Sequence, residues 1–178
     1  MEIKYLGCLL SVKDMEASKR FYQEVLGQKI IMDIGVHVSF EGFSLQQGYA
    51  ELVGIPVESV MTKSHNFQLY FEVENLDEMF DNLKSMEELQ WVHEITEYPW
   101  GQRDIRIYDP DKHIVEIAES MESVIKRFLS QGMPVDEISK RTMYPIDFLK
   151  RRIDFIYNDL SGNYDFGYMD MFKGDLSL

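Results

Sequence analysis

The sequence is short of cysteine, proline and positive charge, and each shortage narrows what the chain can be. One cysteine, Cys8, among 178 residues excludes an internal disulfide and a thiolate cluster, and fits a reducing compartment. Eighteen basic residues face 31 acidic ones, a net charge of −13, which disfavours nonspecific binding to nucleic acid or to an anionic membrane. No apolar run approaches a membrane span, and the opening MEIKYLGCLL is too short and acidic for a signal peptide. The expected location is therefore the cytoplasm. There is no HxH or HExxH spacing and no Ser/His/Asp or Cys/His arrangement, so no nucleophilic mechanism suggests itself.

What is present is a core and a pattern. Hydrophobic content of 45% supports one domain, here with an extension. The charge is uneven: residues 1–117 carry −11, residues 118–157 carry +1 and the last 21 carry −3. Alternation predicts a strand over Tyr5–Val12, and three- and four-residue spacing predicts a helix from Met15 to Leu26 with Asp14 as its cap. Strands are expected over Lys29–Ile34, Val36–Glu41 and Phe43–Gln47, then a loop over 48–64. The order then repeats, with a strand at Asn66–Glu74, a helix from Leu76 capped by Asn75 or Asp77, and strands at Trp91–Tyr98, Asp104–Tyr108 and His113–Glu119. Pairing the two βαβββ halves by order sets Gly7 opposite Gln68, Val12 opposite Val73 and Gln46 opposite Glu116.

The stretches SVKDMEASKRFYQEVLG, FEVENLDEMFDNL and PWGQRDIRIYDPDKHIVEIAE together resemble the vicinal oxygen chelate superfamily, which includes glyoxalase I, bleomycin-resistance proteins and extradiol dioxygenases. The resemblance implies an α+β fold in which two βαβββ modules, about 3–48 and 65–119, curl into a cup of mixed sheet within a domain over 1–119. It also implies divalent-metal ligands on the first and last strands of each module, here Gly7, Gln46, Gln68 and Glu116. Glu116 matches the final ligand and Gln68 stands where histidine is usual, so Glu116 and Gln68 are the metal candidates, for Ni²⁺, Co²⁺, Zn²⁺ or Mg²⁺. One carboxylate and two amides make a poor set. The expectation is a polar floor without a complete metal site, with Gln46, Gln68, Tyr70 and Arg106 binding the ligand and Phe40 and Trp100 forming aromatic wall and rim.

Glu116 sits between Ile114 and Ala118, and a carboxylate there needs a cation, a donor or water. Any chemistry would use Glu116 as a base, its pKa raised by burial. Val38 and Phe40 are expected inside the cup, with His37 outside it, and the four histidines at the surface.

Residues 120–178 form the extension. Helices are predicted at Met121–Gln131, Val135–Thr142 and Ile146–Tyr157. GMPVDEISKRTMYPIDFLKRR is similar to a helix-turn-helix, with Met143 where a turn glycine is usual. Nucleic acid binding would run through residues 132–157, but packing is the preferred reading because the whole-chain charge opposes DNA. The tail, with Tyr164, Phe166, Tyr168 and Phe172, is expected to dock on its own or a neighbouring cup. The function expected is binding of an unknown small molecule, by a homodimer. The alternatives are a metal-dependent, lactoylglutathione-lyase-like lyase or isomerase, and a ligand-sensing regulator.

Overall fold

The computed structural model describes residues 2–159. The aromatic tail therefore lies outside the described residues.

Contacts divide the chain into two units, one of residues 1–97 and 103–120, the other of residues 98–102 and 121 onward. In the first unit the βαβββ order appears twice. Module 1 holds β1 (Cys8–Ser11), α1 (Met15–Arg20), β2 (Met32–Asp33), β3 (His37–Ser39) and β4 (Phe43–Gln46). A short α2 (Tyr49–Val53) follows, then module 2 with β5 (Gln68–Val73), α3 (Leu76–Lys84), β6 (Gln90–Glu97), β7 (Arg103–Tyr108) and β8 (Ile114–Glu119). The two four-stranded sheets have the same order, β1-β4-β3-β2 and β5-β8-β7-β6. In each, the first strand runs parallel to the last and the others are antiparallel. The fold is α+β, as the sequence predicts.

Local chemistry explains the elements. Asp14 accepts from the backbone N–H of Ala17 at 3.0 Å and Asn75 from that of Glu78 at 3.2 Å, so both module helices start on a side-chain cap. The expected single helix from Met15 changes to a π-helical turn at Phe21–Val25, which buries Phe21 and Tyr22. Residues 48–64, expected as loop, hold α2 between Gly48 and Gly54, both left-handed, and a 3₁₀ turn at Val57–Ser59. β2 shrinks to two exposed residues at a sheet edge.

One core serves both modules. Leu10, Tyr22, Val38, Phe40 and Leu45 join Leu69, Leu76, Leu83, Ile105, Ile107, Val115 and Ile117. Phe43 and Phe71 meet edge to face across the join, with ring centres 6.1 Å apart. Polar bonds tie the same join: the Tyr22 hydroxyl donates to Asp109 Oδ2 at 2.8 Å, and the Lys13 N–H donates to the Asp111 carboxylate.

The second unit holds α4 (Met121–Ser130), α5 (Val135–Thr142) and α6 (Ile146–Asp159). They bury Val124, Ile125, Phe128, Ile138, Leu149 and Ile156. Met143, between α5 and α6, takes the left-handed conformation at φ 62°, at the turn position where a helix-turn-helix usually carries glycine. Residues 98–102 pack with these helices. The Arg127 guanidinium donates to the Gly101 carbonyl, and a Cβ on Gly101 would stand 2.3 Å from the Phe128 ring.

Candidate functional site

Each sheet has an apolar face and a second, more polar one, called here the floor. In module 2 the floor strands carry Gln68, Tyr70 and Glu72 on β5, Ile114, Glu116 and Ala118 on β8, and Asp104, Arg106 and Tyr108 on β7. This follows from alternation with the buried Leu69, Ile105, Ile107, Val115 and Ile117.

Arg106 is the centre of this face. Its Nε donates to Gln68 Oε1 at 3.0 Å, Nη1 to His93 Nε2 at 3.0 Å, and Nη2 to Glu116 Oε2 at 2.8 Å. Nη1 also lies 2.7 Å from Asp104 Oδ2. Gln68 turns its amide N–H₂ to the same Glu116 oxygen. Glu116 and Asp104 are buried, so the guanidinium supplies the compensation a carboxylate needs there. Tyr70, 47% exposed, donates its hydroxyl to Glu72 Oε1 at 2.7 Å. Of the predicted site residues, Gln68, Arg106 and Glu116 are thus bonded together, with Tyr70 on the same face.

The module 1 floor is different. His37 Nδ1 and Gln46 Oε1 are 2.9 Å apart, His37 Nε2 and Ser39 Oγ 3.1 Å, and Ser44 donates to Ser39 at 3.0 Å. His37 therefore shares its face with Gln46, against the expectation. Val38 and Phe40 belong to the core: Val38 pairs with the buried Leu45, and Phe40 stacks on Phe43 at 4.8 Å. Phe40, expected on the cup wall, lies in the core instead. Alternation separates two faces but does not say which one meets the helix, and the larger apolar side chains go there.

The ladders also correct the pairing of the halves. Leu9 and Tyr70 each precede a cap by five residues, so they are counterparts. Leu9 pairs with Ser44 and Tyr70 with Glu116. The counterpart of Glu116 is Ser44, not Gln46, and the counterpart of Arg106 is Ser39. The two-residue turn between β3 and β4 makes that hairpin shorter than β7–β8, which displaces any pairing made by order alone.

Trp100 belongs to the second unit, stacked on Tyr98 at 4.7 Å with its indole N–H donating to Gln102. His113 is not a surface residue. Its Nδ1 meets Asp109 Oδ2 at 2.8 Å, and its side chain is 14% exposed. Burial opposes its charge, but the Asp109 hydrogen bond and charge outweigh that and raise its pKa.

These residues do not fit a divalent ion. Glu116 already receives a guanidinium and an amide, Ser44 offers a hydroxyl, and Gly7 can carry no side chain because a Cβ there would lie 2.4 Å from the Gly42 carbonyl oxygen. Among the described residues, no group of three or more His, Cys, Asp or Glu is arranged to hold a metal. A cleft of about 400 Å³ is lined by Phe21, Val25, Met86, Leu89, Pro110 and Lys112 among others; of the floor residues Tyr108 lines it, and Gln68, Arg106 and Glu116 do not.

Comparison with known proteins gives the lineage. The glyoxalase-like domain family matches residues 5–122. A protein of unknown function from Agrobacterium tumefaciens is 31% identical, with a TM-score of 0.58 over 67% of this chain and 96% of that one. A glyoxalase-related enzyme from Fulvimarina pelagi is 25% identical, with a TM-score of 0.55 over 67% and 90%. A glyoxalase/bleomycin resistance protein/dioxygenase family enzyme from Burkholderia phytofirmans, 18% identical, shares the fold at a TM-score of 0.57 over 65% and 98%. No curated protein matches. No helix among the described residues is long and apolar enough to cross a membrane.

Proposed function

Because the chain belongs to the glyoxalase-like domain family, we propose that it binds a small molecule on the module 2 floor without a divalent ion. One observation carries this reading: Arg106 donates from all three of its guanidinium nitrogens and holds the carboxylate a metal would need. The guanidinium is the floor's own cation. With its donors engaged, it is a poor receptor for an anionic ligand. Glu72, Asp104 and Glu116 outnumber it on the floor strands three to one, so a cationic or donor-rich ligand suits the face.

The test uses protein purified without chelators. Elemental analysis should find well under one metal per chain, and Glu116→Gln should leave that content unchanged. Benzamidinium should shift the NMR signals of Gln68 and Glu116 more than benzoate does. One metal per chain in the wild type, lost in Glu116→Gln, would sink the reading.

The lyase alternative needs an ion at Glu116 and is disfavoured by Arg106. The regulator alternative has the left-handed turn at Met143 in its favour. Against it, exposed Lys140, Arg141, Lys150 and Arg151 are matched in number by exposed Asp136, Glu137, Asp147 and Asp154. A cytoplasmic homodimer remains our expectation, supported by the single cysteine and by exposed Ile31, Met32 and Ile34 along the β2 edge. A monomeric mass at micromolar protein would refute the dimer.

A further inference from the structure

We propose that His93 is a positioning residue of this site: its neutral imidazole holds Arg106, and a proton on that imidazole releases it. The proposal rests on the reading of the module 2 floor as the ligand site.

The placement of His93 is built into the strand. Trp91, His93 and Ile95 have the same parity on β6, so simple alternation would send all three to one face. Trp91 and Ile95 pack on the core. His93 does not, because the β6–β7 register shifts on both sides of it, between Trp91 and His93 and again between His93 and Thr96. Such irregularities re-aim a side chain. Here they bring the imidazole opposite Arg106.

The hydrogen bonds assign the ring proton. Nδ1 lies 2.8 Å from the carbonyl oxygen of Glu94, which can only accept, so the proton sits on Nδ1. Nε2 then carries the lone pair that accepts from Arg106 Nη1 at 3.0 Å. A second proton would set two donors and two positive charges against each other over that distance. The groups facing the imidazole are Arg106 and Asp104 from β7 and Glu94 and Thr96 from its own strand. Asp104 Oδ1, 4.0 Å from Nε2, is the acceptor to which the imidazolium would turn. Asp104 also meets Nη1, so the same proton makes His93 compete for the carboxylate that holds Arg106. The floor gains one positive charge and Arg106 changes partners.

The experiment follows the Arg106 side-chain N–H signals and the His93 ring ¹⁵N shifts of the full chain by NMR, without ligand, along a pH series. We expect His93 to carry its proton on Nδ1 at high pH, and the Arg106 signals to move together with the ring ¹⁵N shifts as the imidazole takes up a second proton. His93→Gln keeps an acceptor but cannot titrate, so its Arg106 signals should stay flat with pH. Benzamidinium affinity should fall about threefold on acidification in the wild type, the scale of one partly exposed charge, and should not step in His93→Gln. A wild-type proton on Nε2 overturns the proposal, as does an Arg106 titration that survives in His93→Gln. Both readouts are ligand-free, so they separate this proposal from the ligand-site reading, which fails instead if benzamidinium leaves the floor signals still.

Discussion

The two modules share strand order, helix caps and one core, yet at matched ladder positions they differ in kind. Where module 2 sets Arg106 against Glu116, module 1 sets Ser39 against Ser44. The serine pair is neutral: Ser44 donates to Ser39 at 3.0 Å, and Ser39 also meets His37 Nε2 at 3.1 Å. The arginine pair is charged, with Glu116 buried and Arg106 half-buried, and its partners reach onto β5, β6 and β7. A duplicated frame therefore places equivalent positions, and substitution at those positions decides which copy carries the charged cluster. Module 1 also gives up a position outright, since Gly7 accepts no side chain while its counterpart Gln68 joins the cluster.

The sharpest way to break the comparison is to remove the cation. Arg106→Met takes the guanidinium from the buried Glu116 and Asp104 and should cost about 3–5 kcal/mol, against about 1 kcal/mol for Ser39→Ala. Urea denaturation of the two variants measures both, and equal losses would erase the distinction. Next is Gly7→Ala. Its Cβ would meet backbone at 2.4 Å with φ at +146°, and the expected loss is about 2–4 kcal/mol. Gln68→Ala, at an exposed residue, should lose about 1 kcal/mol in the same assay. A tolerated Gly7→Ala would mean that β1 can move away from Gly42.

The smallest effect concerns the join between the modules. The folded pKa of His113 is raised, so its contribution is fully present below about pH 6.5 and is lost as pH rises through the raised value. Melting temperature should fall from pH 6 to about 8.5 more in the wild type than in His113→Asn. Parallel curves would remove His113 from the join.

The sequence made the frame readable because caps, alternation and the double βαβββ order are local signals. Gln68, Arg106 and Glu116 were readable as one face for the same reason. Phe40 and His37 were misplaced because alternation is silent on which face meets the helix. Order alone sets Gln46 opposite Glu116, whereas hairpin length sets the ladder register and makes Ser44 the counterpart. His93 was missed because two register shifts override its parity, and no residue type at Val92 or Glu94 announces them. Trp100 was assigned to the rim by its position in the chain, whereas its contacts put it with the helices.

The packing of Gly101 against Phe128 has a consequence for how the molecule opens. Residues 98–102 sit between β6 and β7 in the chain but share their contacts with α4–α6, so the second unit is discontinuous in sequence. A cooperative opening of that unit must involve both of its segments. The amides of Tyr98 to Gln102 should then exchange with solvent at the rates of the helices rather than those of the strands on either side. A cut at residue 120 would not release a complete foldon, since it would strand the five-residue segment without the partners that order it.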